Sequence, residues 1–296
     1  MSRSRAALRR NKRPRGERSW GVECAQGIQQ TEMGKPTQAT IDARVGQLIA
    51  AFDDYLAFFD AKPAFTPEQL RHHVETCRLR AAAKSAATAI ENDLFLKALY
   101  ETLRSWRMQS RGARLIPWTQ FRDSVRRNAA EIASFEGWKL DQDGLNARDT
   151  ADRVWQLIER LAICDNTSKL VSGTKALHHI LPELVVPIDR TFTGAFFGWN
   201  NHDWQVAQQR SIRQAFEVFA RVARETGARK QVGERWRSNF TKLIDNAVVG
   251  FCRKHLLDDA SYRRALEARA KELGILKELG FLDDINAEAE RRVKGI

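Results

Sequence analysis

Apolar residues recur at three- and four-residue steps along most of the chain, the spacing that gathers side chains on one face of an α-helix. The apolar positions between residues 41 and 59 predict one long amphipathic helix, which Pro63 stops. Thr66, Pro67 and Gln69 then provide an N-cap, a proline at the first helical position and a capping-box glutamine. A second helix is therefore predicted to begin there.

The same periodicity marks the rest of the chain. Residues 94–106 predict a third helix, residues 121–135 a fourth that Gly137 ends, and residues 154–161 a fifth. Further helices are expected at residues 175–181, 190–197, 204–224 and 234–255. No segment alternates apolar and polar residues convincingly, as a half-buried strand does, and the one short β-like run is interrupted by Pro187. The predicted fold class is all-α, with helices packed around one or two cores.

Composition divides the chain into three parts. Residues 1–32 contain eight Lys or Arg and three acids, a formal charge of +5, without apolar periodicity. Residues 1–35 are therefore predicted to be a basic, disordered tail, with a DNA-tethering arm as the functional alternative. The helical domain is expected at residues 36–257, and residues 258–296 are predicted to form a charged C-terminal helical appendage.

The charge of the chain and the lengths of its apolar runs narrow the class of protein. The formal net charge is +12, and the chain after residue 32 still carries +7, which favours a polyanionic partner. No apolar run approaches the ~18 residues that span a bilayer, and the N-terminus lacks the apolar core of a secretory signal. A cytoplasmic protein without a membrane partner is expected.

The four cysteines, Cys24, Cys77, Cys164 and Cys252, lie far apart and form no Cys-x-x-Cys pair. This spacing argues against a structural zinc site and against an iron-sulfur cluster. His73 and Cys77 have the i,i+4 spacing of metal ligands, but the sequence shows no third or fourth partner for them. No metal site is therefore predicted.

The most informative segment is residues 172–189. Gly173 and Thr174 precede Lys175, and Val-Pro-Ile precedes Asp189. A turn at Gly173 would place Lys175 in the first turn of a helix, where the macrodipole disfavours a cation and helps to lower the pKa of the amine. An unprotonated amine is a nucleophile. An extended return after that helix is long enough to bring Asp189 back beside Lys175.

This pattern resembles the active-site signature of the helix-hairpin-helix DNA glycosylases, in particular the 8-oxoguanine glycosylase-like branch. The resemblance covers about residues 154–199. It implies a glycosylase-like helical domain in which Lys175 attacks the sugar C1′ and Asp189 supports charge and proton movement at that carbon. The chain departs from the family hairpin, usually Leu-Pro-Gly-Val-Gly, because residues 169–173 read Lys-Leu-Val-Ser-Gly and Val171 stands at the first glycine position. The spacing from lysine to aspartate is also shorter than in eukaryotic members.

Supporting residues follow from the same segment, and each has an ordinary structural alternative. A lysine is most often on the surface, an aspartate is a common helix N-cap, and histidines and aromatic residues are equally typical of a core. The candidates for substrate binding are His178, His179, Arg190, Phe192 and Trp199, and the candidates for DNA-backbone contact are Ser172, Gly173 and Thr174.

The function predicted from the sequence is that of a DNA glycosylase, with or without abasic-site lyase activity. It would flip a damaged or modified base out of double-stranded DNA and cleave the N-glycosidic bond, as a monomer at the nucleoid, without metal or organic cofactor. The alternatives left open are excision of modified bases from phage DNA in antiphage defence, a monofunctional enzyme in which Asp189 activates water, a non-catalytic helical DNA-binding protein, and a protein-interaction scaffold.

Overall fold

The computed structural model describes residues 35–108, 114–167 and 169–257, and it confirms the all-α class. The predicted appendage, and the predicted tail apart from Lys35, lie outside these residues. Within the described ranges no strand forms, and Leu115 and Cys164 make an isolated bridge. The α-helices are α1 Gln38–Ala50, α2 Phe52–Ala61, α3 Pro67–Ala82, α4 Ala86–Glu91, α5 Asp93–Ser105, α6 Trp118–Arg127, α7 Ala129–Ala133, α8 Ala147–Leu161, α9 Leu170–Ile180, α10 Phe192–Phe197, α11 Asn201–Gln205, α12 Gln208–Thr226 and α13 Phe240–His255, with 3₁₀ helices at Ala228–Gln231 and Arg235–Arg237.

The predicted capping box at the start of α3 is confirmed. Thr66 Oγ1 accepts the N–H of Gln69 at 3.2 Å, and Gln69 Oε1 accepts the N–H of Thr66 at 2.8 Å. Pro67 occupies the first helical position, where its missing N–H costs nothing. The local sequence therefore determines where α3 begins, because each partner lies within one helical turn.

Three helices that the periodicity predicts as continuous are broken. The first divides at Ala51 into α1 and α2, the fourth divides at Asn128 into α6 and α7, and the segment 204–224 divides into α11 and α12. Apolar spacing does not reveal such breaks, because the second helix resumes with its apolar face toward the same core. The helix predicted at 234–255 begins later than expected, at Phe240, and the short, alanine-rich α4 was not predicted.

Helix α13 is the centre of the fold. Its residues are buried from Phe240 to Cys252, and α1, α2, α10 and α12 pack around it. Gly250 allows α13 to lie directly on α2, since a Cβ at this position would overlap the carbonyl of Tyr55. Elsewhere α12 packs on α8, and α3 packs on α5. None of the helices in the described part of the chain has the length and apolar composition needed to cross a membrane.

Helix α9 carries much of the candidate site, and two long-range contacts set its position. Gln208 of α12 accepts the N–H groups of Lys169 and Leu170 through its Oε1, at 2.8 and 2.9 Å, and so caps the helix from a distant point in the chain. Gly173 lies inside the helix where α9 crosses α8, and a Cβ there would overlap the side chain of Ile158. The helix therefore begins at Leu170, earlier than predicted.

Candidate functional site

Lys175 lies in the middle of α9, and the predicted position in a first helical turn is wrong. Gly173 continues the helix instead of forming a turn, so the positive end of the macrodipole is more than one turn away. The dipole acts within the first turn, so the effect predicted for a lysine at a helix start does not reach Lys175. The side chain is half-buried, and its Nζ lies 5.0 Å from the centroid of the Trp106 ring.

A buried hydrogen bond joins the two halves of the predicted motif. The Oγ1 of Thr174 accepts the N–H of Ile188 at 3.1 Å and donates to the carbonyl of Leu170 at 2.8 Å. Thr174 precedes Lys175, and Ile188 precedes Asp189. The bond therefore fixes the register between α9 and the extended segment that returns to it, so Lys175 and Asp189 leave the backbone at neighbouring points.

The Asp189 carboxylate is held by the helix that follows it. Its Oδ1 accepts the N–H groups of Thr191 and Phe192, each at 2.7 Å, and its own N–H donates to Thr193 Oγ1 at 3.3 Å. The N-cap residue of α10 is Thr191 and not Asp189, but the Asp189 carboxylate still accepts N–H groups at the start of that helix. A capping contact does not exclude chemistry, because a carboxylate fixed in this way needs no reorganisation when charge develops nearby.

Two further charged residues, missed in the sequence, lie close to this pair. Lys242 and Asp245 form an ion pair on α13, with side chains only 2% and 6% exposed. Burial raises the pKa of the Asp245 carboxyl; Lys242 opposes the shift, Asp189 adds to it, and Lys175 opposes it. Because these three charges all act on Asp245, the residues Lys175, Asp189, Lys242 and Asp245 are together called the charged cluster. The sequence feature that could have indicated this buried ion pair is a lysine and an aspartate three residues apart in an apolar run.

The three residues predicted to contact a DNA backbone are buried inside the protein. Ser172 donates its hydroxyl to the carbonyl of Lys169 at 3.1 Å, the Gly173 N–H donates to the same carbonyl at 2.9 Å, and Thr174 is bonded as described above. Because these polar groups are already paired and shielded from water, their position argues against the predicted contact with phosphates.

The aromatic candidates for a base pocket belong to the core. Trp199 stacks on Phe197 with ring centroids 4.9 Å apart, and its Nε1 donates to Gln214 Oε1 at 2.9 Å. Phe192 is only 4% exposed. Arg190, in contrast, is exposed beside Asp189, with its guanidinium 5.6 Å from the centroid of the Trp204 ring. Of the five substrate candidates, Arg190 is the one placed at the surface.

His178 and His179 are also buried, and they meet residues of α3. His73 Nδ1 lies 3.0 Å from His179 Nε2, and Cys77 Sγ lies 3.8 Å from His73 Nδ1. The expectation that His73 and Cys77 lack a third partner is therefore wrong. His179 joins them from a position 106 residues away from His73, a proximity that local spacing cannot reveal. His73, Cys77, His178 and His179 are together called the histidine cluster.

The histidine cluster is uncharged at neutral pH. Burial lowers the pKa of His73 and of His178 well below the usual range, and it lowers the pKa of His179 to about 4. Burial also raises the pKa of the Cys77 thiol, although hydrogen bonds from Ser238 and Asn239 oppose this shift. A cavity of about 350 Å³ adjoins the cluster, and Cys77, His179, Ser238 and Asn239 form part of its wall.

The two clusters offer different chemistry. The charged cluster presents a half-buried amine and a fixed carboxylate, the groups needed for nucleophilic attack with charge stabilisation. The histidine cluster presents neutral nitrogen and sulfur donors, the groups that bind transition metals. Comparison of the chain with family models, with curated proteins and with solved structures finds no match.

Proposed function

We propose that this protein is a DNA glycosylase, with or without abasic-site lyase activity, that uses Lys175 as nucleophile and Asp189 as the supporting carboxylate. The observation that carries the proposal is the buried Thr174–Ile188 hydrogen bond, which holds the two motif halves in register. The Thr174–Ile188 hydrogen bond is buried, whereas the side chains of Lys175 and Asp189 are half-buried and reachable from outside.

The chemistry requires an unprotonated amine. As Lys175 Nζ forms a bond to C1′, the bond between C1′ and the base breaks, and its electron pair leaves with the base, which takes up a proton. Opening of the sugar ring then gives a Schiff base, and β-elimination can cleave the strand on the 3′ side. The Asp189 carboxylate stabilises the positive charge that develops on the sugar, and its capping contacts hold it in place.

Charge supports DNA as the partner. The formal charge after residue 32 is +7, and the exposed Arg190 follows Asp189 directly. A guanidinium at this point can bind a phosphate next to the extruded nucleotide. Oxidised guanine is the substrate that the family resemblance suggests, and a modified base of phage DNA is the alternative that would make the protein a defence enzyme.

Borohydride trapping tests the mechanism directly. The full chain is incubated with duplexes that contain 8-oxoguanine, uracil, a preformed abasic site or glucosylated hydroxymethylcytosine. We expect a covalent adduct with at least one duplex, its loss in Lys175→Gln, and its retention in the matched control Lys230→Gln, which changes an exposed lysine. Asp189→Asn keeps an oxygen to cap α10 and should lower the rate about 10²–10⁴-fold.

Each remaining outcome has a defined meaning. Base loss revealed by alkali without an adduct, if it depends on Asp189, indicates the monofunctional mechanism and removes the nucleophilic role of Lys175. Salt-dependent DNA binding without adduct or base loss on the panel favours the non-catalytic DNA-binding protein and counts against the proposal. The absence of any salt-dependent DNA affinity would favour a protein-interaction scaffold.

A further inference from the structure

We propose that His73, Cys77 and His179 form a binding site for a divalent transition-metal ion of the zinc type, with a fourth coordination position open to the adjacent cavity. The proposal is independent of the proposed glycosylase activity, because it rests on the histidine cluster alone. His73 and Cys77 project from α3, and His179 projects from α9.

The distance between the two donor nitrogens is close to that of tetrahedral coordination, and the sulfur lies within reach of the same ion. Zinc binds nitrogen at about 2.0–2.1 Å and sulfur at about 2.3 Å, which places two nitrogens about 3.3 Å apart and nitrogen and sulfur about 3.6 Å apart. His73 Nδ1 and His179 Nε2 lie 3.0 Å apart, whereas Cys77 Sγ lies 3.8 Å from each of the two ring nitrogens of His73. One atom from each of the three side chains lies within 4.8 Å of the others. Binding of an ion therefore requires the Cys77 side chain to turn toward the two nitrogens by up to about 1 Å.

Both imidazoles are already oriented as metal-binding histidines usually are. The His179 Nδ1 lies 2.9 Å from the Lys175 carbonyl, which can only accept, so this nitrogen carries the proton and Nε2 has its lone pair toward the cluster. The other ring nitrogen of His73, Nε2, lies 2.8 Å from Ser238 Oγ. Metal-binding histidines typically donate their second N–H to such a carbonyl or oxygen, which fixes the ring and its tautomer.

The hydrogen bonds around the cluster also allow the proton on His73 to move. Without a metal, His73 Nδ1–H donates to His179 Nε2, and His73 Nε2 accepts the Ser238 hydroxyl proton. With a metal on Nδ1, the ring carries its proton on Nε2 and donates to Ser238, whose hydroxyl is then free to donate to Cys77 Sγ, 3.6 Å away. Metal binding also requires the Cys77 thiol to release its proton, which leaves to solvent through the adjacent cavity. The thiolate then accepts hydrogen bonds from the Ser238 hydroxyl and from the Asn239 amide, which lies 3.4 Å from the sulfur.

The surroundings hold the donors rigidly and leave one side accessible. The His73 ring stacks against Trp236, with centroids 5.3 Å apart, and against Trp106 at 6.1 Å. Cys77 and His179 border the cavity of about 350 Å³, whereas His73 is fully buried behind them. Three protein ligands with one open position are characteristic of catalytic rather than structural zinc sites. The fourth ligand would be water or a donor atom of a small molecule in the cavity.

Cobalt titration of the full chain tests this site, because Co²⁺ replaces Zn²⁺ and reports its ligands by absorption. After removal of metals with a chelator, we expect one Co²⁺ per chain, a thiolate-to-cobalt band in the near ultraviolet and the visible bands of tetrahedral geometry. Cys77→Ser should remove the thiolate band, and His179→Gln should weaken binding more than the 10–100-fold typical of changes outside the ligand shell.

Matched controls separate the site from other thiols and imidazoles. Cys164→Ser alters a buried cysteine outside the cluster, and His202→Gln alters an exposed histidine; both should leave the spectrum unchanged. Ser238→Ala keeps all three ligands and should weaken binding about 10–100-fold, a test that does not depend on whether ligand variants fold. Folded wild type without stoichiometric Co²⁺ binding, or a thiolate band that persists in Cys77→Ser, would overturn the proposal and leave a hydrogen-bonded core cluster.

Discussion

The charged cluster and the histidine cluster both contain fully buried ionisable side chains, and these side chains tolerate burial in opposite ways. Helix α9 contributes Lys175 to the first and His179, one turn later, to the second, and the Trp106 ring lies against both. Lys242 and Asp245 lie within ion-pair distance, so each charge offsets part of the desolvation cost of the other. The imidazoles simply lose their proton, which costs little because their ordinary pKa is close to neutrality.

The comparison is tested most severely by removing one member of each cluster. Asp245→Leu leaves Lys242 as an unpaired buried cation and should lower the free energy of unfolding by about 3–5 kcal/mol. His73→Leu breaks neutral hydrogen bonds and should cost less, about 1–3 kcal/mol. Urea unfolding followed by tryptophan fluorescence, with a chelator present, measures both. Lys242→Met combined with Asp245→Leu should recover much of the loss, and equal costs for the two single variants would refute the distinction.

Acidification should affect the two clusters with opposite sign. The native pKa of His179 is lowered to about 4 by burial, so below the unfolded value of about 6.5 the unfolded chain binds more protons. Its contribution to stability is complete above pH 6.5 and is lost as the pH falls toward 4, by up to about 3 kcal/mol. The native pKa of Asp245 is raised by burial, so its contribution is present at low pH and is lost as the pH rises through the native value.

Urea unfolding measures the contribution of the histidines. The midpoint is compared between pH 7.5 and pH 5 in the presence of a chelator. His179→Gln should lose less stability than the wild type over this interval, because it removes one of the buried imidazoles. An unchanged pH dependence in His179→Gln would contradict the neutral character of the histidine cluster.

A smaller effect is expected at the helix crossing on which both clusters depend. Gly173→Ala places a methyl group against Ile158 and should cost about 1–3 kcal/mol, with displacement of α9. Ile158→Ala in the same chain should relieve part of the overlap. Gly46→Ala is the matched control, because Gly46 lies exposed in α1 with open space around it and should gain about 0.5–1 kcal/mol. Thermal unfolding ranks the stabilities of the three variants. A Gly173→Ala variant as stable as the wild type would show that α9 is free to shift.

Part of the candidate site could be predicted from the sequence. Gly-Thr-Lys and Val-Pro-Ile-Asp predicted Lys175 and Asp189 as candidates, and the length of the intervening segment predicted its return toward α9, which the Thr174–Ile188 bond confirms. Thr174 was expected to contact DNA, yet it forms the bond that joins the two halves, because burial turns its hydroxyl inward. Phe192 and Trp199 were expected in a base pocket and lie in the core, since an aromatic residue near a motif has the same sequence signal in either place.

The sequence by itself determined the all-α class and the capping box of α3, and it proposed the two candidate residues of the motif. These features depend on residues that lie a few positions apart in the sequence, and helical geometry brings such residues into contact. Only the tertiary structure decided that Gln208 caps α9, that α13 brings Lys242 and Asp245 beside the motif, and that His179 meets His73 and Cys77. These contacts join residues far apart in the chain, and the packing of helices around α13 is what brings them together.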